Sequence, residues 1–540
     1  MKLWTVTIGL LHARLAKSQL AYADNQAPLQ KDDDEVAALF PDLDDVELAS
    51  PAFANPKGVP SGFANGTSGP TDMDTLDEFL RDIAAKHDWA NYHGSDPSLQ
   101  SEEGRIIPYL YLSSSQGKGQ AKKPQKLRIW LQGGVHGNEP AGDQALLELL
   151  ARFDRNTTWA KTVVLSKADI IVLPRYNPDG VAYFQRFLAS NYDPNRDHAI
   201  LKSEQTRDIK TVLSRFNPHV FADFHEYTAS QKLGEDGHLL KAQDGQISQA
   251  KNLNIHRDIR ELGERLFRDG LAAALERKSL RTSPYFTAPS GQELVLSEGG
   301  SSPRSSHGSA GLLQTVSFLS ETRGIRLGDQ HFQRRVATGA LVAETLIQIA
   351  VDNAARVYKT VEDARKNFID SDEDIVITDH TRRHETTWEF VDTINASIVE
   401  IPVQFNNNTP PTANLTRARP EAYVFSRAFK GVADRLRILG VDVETLERDF
   451  DGEVEALNVT FASVLPEKYE GVAETTVETK AFRKQVRIPA GGFRVSTRQK
   501  NAAFVLVTLE PESPASYATY NILPLDKGDE YPVFRVLKES

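Results

Sequence analysis

The sequence contains no cysteine among its 540 residues, and this absence removes several kinds of chemistry. Disulfide bonds, thiolate nucleophiles and zinc sites with cysteine ligands are all excluded. Any bound metal must therefore be held by histidine and carboxylate side chains, which form a common ligand set for catalytic zinc.

The sequence also lacks a long apolar run and an excess of positive charge. No stretch approaches the roughly 20 apolar residues that a membrane-spanning helix needs. The formal net charge is −11, whereas binding to nucleic acid favours a basic surface. We therefore expect neither a membrane span nor a nucleic-acid partner.

The N-terminal part of the chain has the composition of export and linker segments. Residues 1–23 resemble a signal peptide, because Lys2 precedes an apolar run and residues 21–23 resemble a cleavage site. The alternative is a short N-terminal helix or a disordered tail. Residues 24–70 are acidic and rich in Pro, Gly and Ser, which predicts a disordered linker or a short propeptide. We expect a secreted protein.

Two further domains are predicted from the pattern of apolar residues. Over residues 71–368, apolar strands at 127–131, 170–173, 219–224 and 316–319 alternate with helices at 143–153, 209–216 and 331–359. This alternation predicts an α/β fold with a sheet covered by helices on both faces. Over residues 371–540, β-type runs at 398–403, 486–488 and 504–509 predict a second, β-rich C-terminal domain, with one helix at 432–439.

The first candidate ligands are His136 and Glu139, which follow the predicted strand 127–131. Two ligands three residues apart reach one ion when a loop supplies the first and a helix start supplies the second. The glycines around the pair allow the backbone to bend tightly. A single such pair also arises by chance in a chain of this composition.

Two more candidates lie at the carboxyl ends of other predicted strands, where open α/β sheets place their sites. His225 ends one strand, and Asp223 or Glu226 could hold its second ring nitrogen, unless it is simply a buried, satisfied histidine. Glu321 follows another strand and could take a proton from a zinc-activated water. The alternative for Glu321 is a salt bridge to Arg323.

Arginine and asparagine residues between these candidates are suited to binding anions. Arginine presents a planar fork that matches a carboxylate, and asparagine adds donors beside it. Arg186 could also face a developing oxyanion, although an isolated arginine is more often a solvated surface residue. The candidates are Arg186, Asn195 and Arg196.

Taken in chain order, these motifs resemble the zinc carboxypeptidase family of the carboxypeptidase A type. The resemblance covers about residues 75–367, and it is carried by His136/Glu139, residues 177–180 (Asn-Pro-Asp-Gly), Asn195-Arg196, His225 and Glu321. It implies an α/β fold with a mixed sheet covered by helices on both faces. It also implies a metallocarboxypeptidase that cleaves the C-terminal bond of peptides or proteins.

The resemblance also implies a role for each residue. One Zn²⁺ would be bound by His136, Glu139 and His225, which leaves the open position that catalytic zinc requires. Glu321 would be the general base, and Arg186 would stabilise the tetrahedral intermediate. Asn195 and Arg196 would grip the substrate's C-terminal carboxylate.

The sequence departs from the pancreatic-type members of the family in one respect. They carry a tyrosine some twenty residues before the catalytic glutamate, and here the nearest upstream tyrosine, Tyr285, is too far to assign. Arg304 and His307 lie where family members usually determine which substrate side chain they accept. Their charge suggests an acidic substrate side chain; the alternative is a mobile surface loop.

Two other functions remain open from the sequence. A related zinc hydrolase acting on acyl amino acids or cell-wall peptides would use the same site chemistry with a different pocket. A non-catalytic peptide-binding protein on a peptidase scaffold would be expected to lose the ligands or the base. The oligomeric state and the role of the C-terminal domain cannot be read from the sequence.

Overall fold

The structure is a computed structural model that describes residues 26–94, 99–114 and 125–538. The predicted signal peptide, residues 1–23, lies outside the described residues. No helix in the described part of the chain is long and apolar enough to cross a bilayer.

A mixed eight-stranded sheet forms the centre of the molecule. Its strand order is β1-β2-β4-β3-β5-β11-β7-β8. The four central strands, β4, β3, β5 and β11, are parallel to one another. The pairs β1–β2, β2–β4 and β11–β7 are antiparallel, and the edge pair β7–β8 is parallel. The strands are β1 (Ala90–His93), β2 (Tyr109–Leu112), β3 (Leu127–Gly133), β4 (Ala168–Leu173), β5 (Val220–Thr228), β7 (Gly245–Gln249), β8 (Thr282–Ser283) and β11 (Val316–Ile325).

Helices cover this sheet. The residues of β5 are buried from Val220 to Tyr227 irrespective of which way they point, so both faces of the sheet are covered. The helices are α1 (Asp34–Ala37), α2 (Pro51–Ala54), α3 (Met73–Lys86), α4 (Pro140–Arg155), α5 (Pro178–Tyr183), α6 (Glu204–Phe216), α7 (Arg257–Leu262), α8 (Asp269–Glu276), α9 (Ser306–Gly311), α10 (Phe332–Asp352) and α11 (Ala354–Asp370). The predicted α/β class is confirmed, although the helix expected over 331–359 is two helices that meet at Asn353.

The C-terminal region is β-rich, as predicted, and it contributes to two sheets. Its first two strands, β12 (Ile375–Asp392) and β13 (Ser397–Arg417), pair with each other and with strands of the preceding region. Strand β12 pairs with β6 (Leu239–Lys241), and β13 pairs with β10 (Val295–Glu298), which in turn pairs with β9 (Phe286–Thr287). These five strands form one sheet, so the chain is not cleanly divided at residue 371.

The remaining strands form a six-stranded sheet with the order β15-β18-β14-β19-β16-β17. They are β14 (Ala422–Phe425), β15 (Glu444–Thr445), β16 (Phe450–Val464), β17 (Thr475–Ile488), β18 (Phe493–Ser496) and β19 (Val533–Val536), with helices α12 (Lys430–Ile438) and α13 (Ala502–Thr508). The strand expected over 504–509 is wrong, since residues 504–508 lie in α13 and Leu509 follows its last residue. A short, fully buried apolar run has no alternation that distinguishes a strand from a helix.

The expectation of disorder over residues 24–70 is also wrong for the described part, residues 26–70. Asp32 pairs through both carboxylate oxygens with Arg323, at 2.5 and 2.8 Å, and both side chains are 3% exposed or less. Phe40 is buried beside Leu240. The acidic composition suggests a solvated chain, but the Asp32 carboxylate bonds to partners almost 300 residues away. Whether this segment is a propeptide stays a prediction.

Replacing Asp32 by asparagine should lower the free energy of unfolding by about 3 kcal/mol, because the buried Arg323 loses its counter-charge. Burial alone would raise the pKa of Asp32, but hydrogen bonds from His331 and Arg323 lower it from 3.8 to about 2. This stabilisation is present above pH 3.8 and is lost as the pH falls through about 2. The difference in melting temperature between wild type and variant should therefore narrow as the pH falls from 4 to 2.

The matched control is Asp33→Asn, because Asp33 is the exposed neighbour of Asp32. It should leave the melting temperature unchanged within error. Equal stability of Asp32→Asn and Asp33→Asn at pH 7 would contradict a structural role for the Asp32–Arg323 pair.

Candidate metal centre

Neighbouring strands of the central sheet bring the candidate ligands together. His136 and Glu139 lie between the end of β3 and the start of α4, while His225 lies on β5. The loop before α4 is tightly folded: a Cβ at Gly137 would come within 1.9 Å of the Gly180 carbonyl carbon, so only glycine fits there. Strand β5 continues beyond the predicted end at residue 224, so His225 is held within the sheet.

The three candidate ligands converge on one point. His136 Nδ1 lies 2.7 Å from Glu139 Oε1, and His225 Nδ1 lies 2.8 Å from Glu139 Oε2 and 3.1 Å from His136 Nδ1. All three side chains are buried, and their donor atoms lie within 4.8 Å of one another. Of the described residues, only these form a group of three or more with the spacing of a metal site.

Two carboxylates hold the outward-facing nitrogens of the histidines. Asp223 Oδ2 lies 2.8 Å from His225 Nε2, and Asp193 Oδ1 lies 3.2 Å from His136 Nε2. Such carboxylates fix the ring orientation and the tautomer of metal-binding histidines. Glu226, the other residue considered for this role, instead pairs with Arg335 at 2.8 and 3.0 Å. Asp193 was not identified from the sequence, because nothing in its local sequence indicates contact with His136, 57 residues away.

The donor set fits zinc. Burial opposes ionisation of Glu139, yet the charges of His136 and His225 hold the pKa of this carboxyl below its usual range. A metal ion at this point would supply the positive charge in their place, because histidine binds zinc as the neutral imidazole and glutamate binds it as the carboxylate. Two imidazoles and one carboxylate are a usual ligand set for a catalytic zinc site with a fourth, open position.

Glu321 lies on β11 directly opposite His225 in the parallel register of β5 and β11. Burial raises the pKa of Glu321 to about 7; Glu139 adds to this shift, and His225 and Lys241 oppose it. A pKa near 7 suits a general base at neutral pH. The alternative, a salt bridge from Glu321 to Arg323, is wrong because the Arg323 guanidinium bonds to Asp32.

One cavity is lined by His136, Glu139 and Glu321, and the candidate anion-binding residues Arg186, Asn195 and Arg196 line it as well. Arg186 donates to Asp193 Oδ2 through Nε at 3.1 Å and Nη2 at 2.9 Å, and it approaches Glu139 at 3.3 Å. It is thus held at the site and is not a freely solvated surface residue. Asn195 Oδ1 accepts from the backbone N–H of Ser306 at 2.8 Å.

The cavity has a volume of about 370 Å³ and includes residues that the sequence motifs did not identify. Tyr285 lines it although its distance along the chain from Glu321 made it unassignable, and burial raises the pKa of its phenol. Lys241 also lines it, and burial lowers the pKa of its ammonium to about 8. Arg304 and His307 line the cavity as well. Nothing in the local sequence of Tyr285 or Lys241 distinguishes them from ordinary residues.

A mixed α/β sheet that brings two histidines and one glutamate together beside a second, buried glutamate has the ligands and the base of a metal-dependent hydrolase. The family model described as zinc carboxypeptidase matches residues 97–227. The chain is 46% identical over 521 residues to "Carboxypeptidase 2" of Trichophyton tonsurans and, equally, to that of Trichophyton equinum, with 96% of each chain covered. The chain belongs to the zinc carboxypeptidase family, as the resemblance predicted.

Among solved structures, the chain is similar to a metallo-carboxypeptidase from Burkholderia cenocepacia. The two share 15% sequence identity with a TM-score of 0.40, over 52% of this chain and 70% of that one.

Replacing Asp193 by asparagine should weaken zinc binding by about tenfold to a hundredfold, the usual effect of losing a carboxylate that orients a histidine ligand. Competition with a chromogenic chelator measures this affinity. Asp258→Asn, which changes a half-exposed carboxylate on α7, is the control and should bind zinc as the wild type does. Unchanged affinity in Asp193→Asn would contradict the role given to the Asp193–His136 contact.

Proposed function

We propose that this protein is a carboxypeptidase that removes the C-terminal residue of peptides or proteins. In this proposal His136, Glu139 and His225 bind the zinc, and Glu321 is the general base. One observation carries the proposal: two members of the metal group, the buried carboxylate of Glu321 and the candidate anion-binding residues line a single cavity.

Zinc bound by these residues would polarise the scissile carbonyl and lower the pKa of an attacking water to about 7. The Glu321 carboxylate accepts the proton of that water and later returns it to the leaving amine. Glu321 lines the cavity wall, and burial there raises the pKa of its carboxyl, which favours the proton uptake that a general base performs.

Arg186 is placed to stabilise the negative charge that develops on the scissile carbonyl oxygen. Its guanidinium is oriented by Asp193, and the same carboxylate orients His136. Asp193 therefore holds His136, a candidate zinc ligand, and Arg186 in fixed positions relative to each other. A preorganised cation of this kind costs no reorganisation as charge develops.

Asn195 and Arg196 are the proposed anchors for the substrate's C-terminal carboxylate. Arg196 Nη1 donates to the Asn195 carbonyl oxygen at 2.8 Å, so the two neighbours are held together at the cavity wall. A guanidinium beside an amide matches the charge and geometry of a free carboxylate. A peptide whose terminus is amidated lacks this charge, and we expect it to be a poor substrate.

The substitution Glu321→Gln should lower kcat by about 10²- to 10⁴-fold, the range associated with general acid–base catalysis. Zinc content should remain at the wild-type level, because the candidate ligands are untouched. Metal analysis and steady-state kinetics on the same preparation make the comparison. Near-normal turnover in Glu321→Gln would show that another group is the base.

The substitution Arg196→Ala tests the choice of substrate. It should lower kcat/KM by about 10- to 150-fold for peptides with a free C-terminus, the effect of losing a hydrogen bond to a charged group. Hydrolysis of the matched C-terminal amides should already be slow in the wild type and should change little. If the wild type cleaved free-acid and amide substrates equally well, or Arg196→Ala were without effect, an acyl-amino-acid or cell-wall-peptide hydrolase would be favoured instead.

A further inference from the structure

A hairpin of the C-terminal region reaches the candidate active site. Strands β16 and β17 are antiparallel neighbours, and residues 465–474 connect them; we refer to this connection as the hairpin tip. The backbones of Tyr469 and Val472 exchange hydrogen bonds of 2.8 and 3.0 Å, which close a tight turn at the end of the tip. Asn521 anchors the tip at its base by donating to the Ala473 carbonyl oxygen at 2.7 Å.

Tyr469, in this turn, contacts the residue proposed to bind the substrate carboxylate. Arg196 Nε donates to the Tyr469 hydroxyl oxygen at 2.9 Å. The ring of Tyr469 also lies under the guanidinium of Arg304, 5.2 Å from its centroid, and Arg304 lines the cavity. Tyr469 is 41% exposed and is one of the few large hydrophobic side chains that are exposed among the described residues.

Two acidic residues attach the tip to the same part of the cavity wall. Glu470 Oε2 accepts from the backbone N–H of Asp193 at 2.9 Å, and Glu474 Oε1 pairs with Arg304 at 2.8 Å. The segment 193–196 carries Asp193, which orients His136 and Arg186, as well as Asn195 and Arg196. The tip is therefore bonded to both ends of this segment: Glu470 binds Asp193, and Tyr469 binds Arg196.

These contacts fix the direction in which Arg196 points. A guanidinium is planar, so bonds from Nε to Tyr469 and from Nη1 to the Asn195 carbonyl together define its plane. An arginine that is already oriented loses less side-chain entropy when it binds a carboxylate. Without the Tyr469 hydroxyl, the long side chain would have to be ordered by the substrate itself.

We propose that the hairpin tip is part of the substrate-binding site, and that Tyr469 is a positioning residue that orients Arg196 toward the substrate's C-terminal carboxylate. This inference rests on the proposed function, because it assigns Arg196 to that carboxylate. It gives the β-rich C-terminal region a direct role in substrate recognition by the preceding domain.

The test is steady-state kinetics of Tyr469→Phe in the zinc-loaded, full-length protein, using the best N-blocked dipeptide with a free C-terminus. Phenylalanine keeps the ring and loses only the hydroxyl. KM should rise about fivefold, as expected for one hydrogen bond, with kcat changed by less than about twofold, since the carboxylate is bound equally in the ground state and the transition state. Phe482→Leu, on the exposed face of β17, is the control and should match the wild type.

A double-mutant cycle separates positioning of Arg196 from a general structural effect. In an Arg196→Ala background, Tyr469→Phe should have no further effect on KM, because the residue through which it acts is gone. An unchanged KM in Tyr469→Phe alone, or the same fivefold rise with and without Arg196, would overturn the inference.

A second variant tests the tip at an independent contact. Glu470→Ala removes the acceptor for the Asp193 N–H and should raise KM, whereas Glu470→Gln retains an acceptor oxygen and should restore it. Equal KM values for Glu470→Ala and wild type would oppose a role for the tip.

The failure of this inference can be distinguished from the failure of the proposed function. If the wild type shows no preference for free-acid substrates, the proposed function fails. If it shows that preference and Tyr469→Phe leaves KM unchanged, only this inference fails.

Discussion

The parallel pairing of β5 with β11 is the constraint on which the site depends. It sets His225 directly opposite Glu321, and β3, paired on the other side of β5, delivers His136 and Glu139 to the same edge. A slip of one residue would turn either side chain to the other face of the sheet. Once the side chains meet, Asp193 and Asp223 fix the two imidazoles, so the site is organised by buried charge as well as by strand register.

Much of this site could be predicted because its residues follow a rule of sheet topology. Parallel strands end at a common edge, so polar residues after buried strands are expected to converge there. His136 follows one strongly apolar strand, and His225 and Glu321 lie on two others; the α/β alternation that makes those strands recognisable is local in sequence. The order of the motifs along the chain then indicated the zinc carboxypeptidase family, and the similarity to known carboxypeptidases confirms it.

The features that were missed depend on contacts between distant parts of the chain. The order of residues 26–70 rests on pairs such as Asp32 with Arg323, 291 residues apart, and the tip's contact from Tyr469 to Arg196 spans 273 residues. Strands β12 and β13 find partners far upstream, so the boundary at residue 371 looked sharper in composition than it is in the structure. In each case a local pattern describes the residue correctly and carries no information about its partner.

The central claim is that His136, Glu139 and His225 bind one zinc ion, and anomalous scattering at the zinc edge from crystals of the zinc-loaded protein tests it most directly. The account predicts one peak per chain, at about 2.0–2.2 Å from Nδ1 of each histidine and from a carboxylate oxygen of Glu139. An anomalous peak that shows zinc bound by other residues would contradict this account. A zinc-loaded, active protein with no peak between these three side chains would contradict it as well.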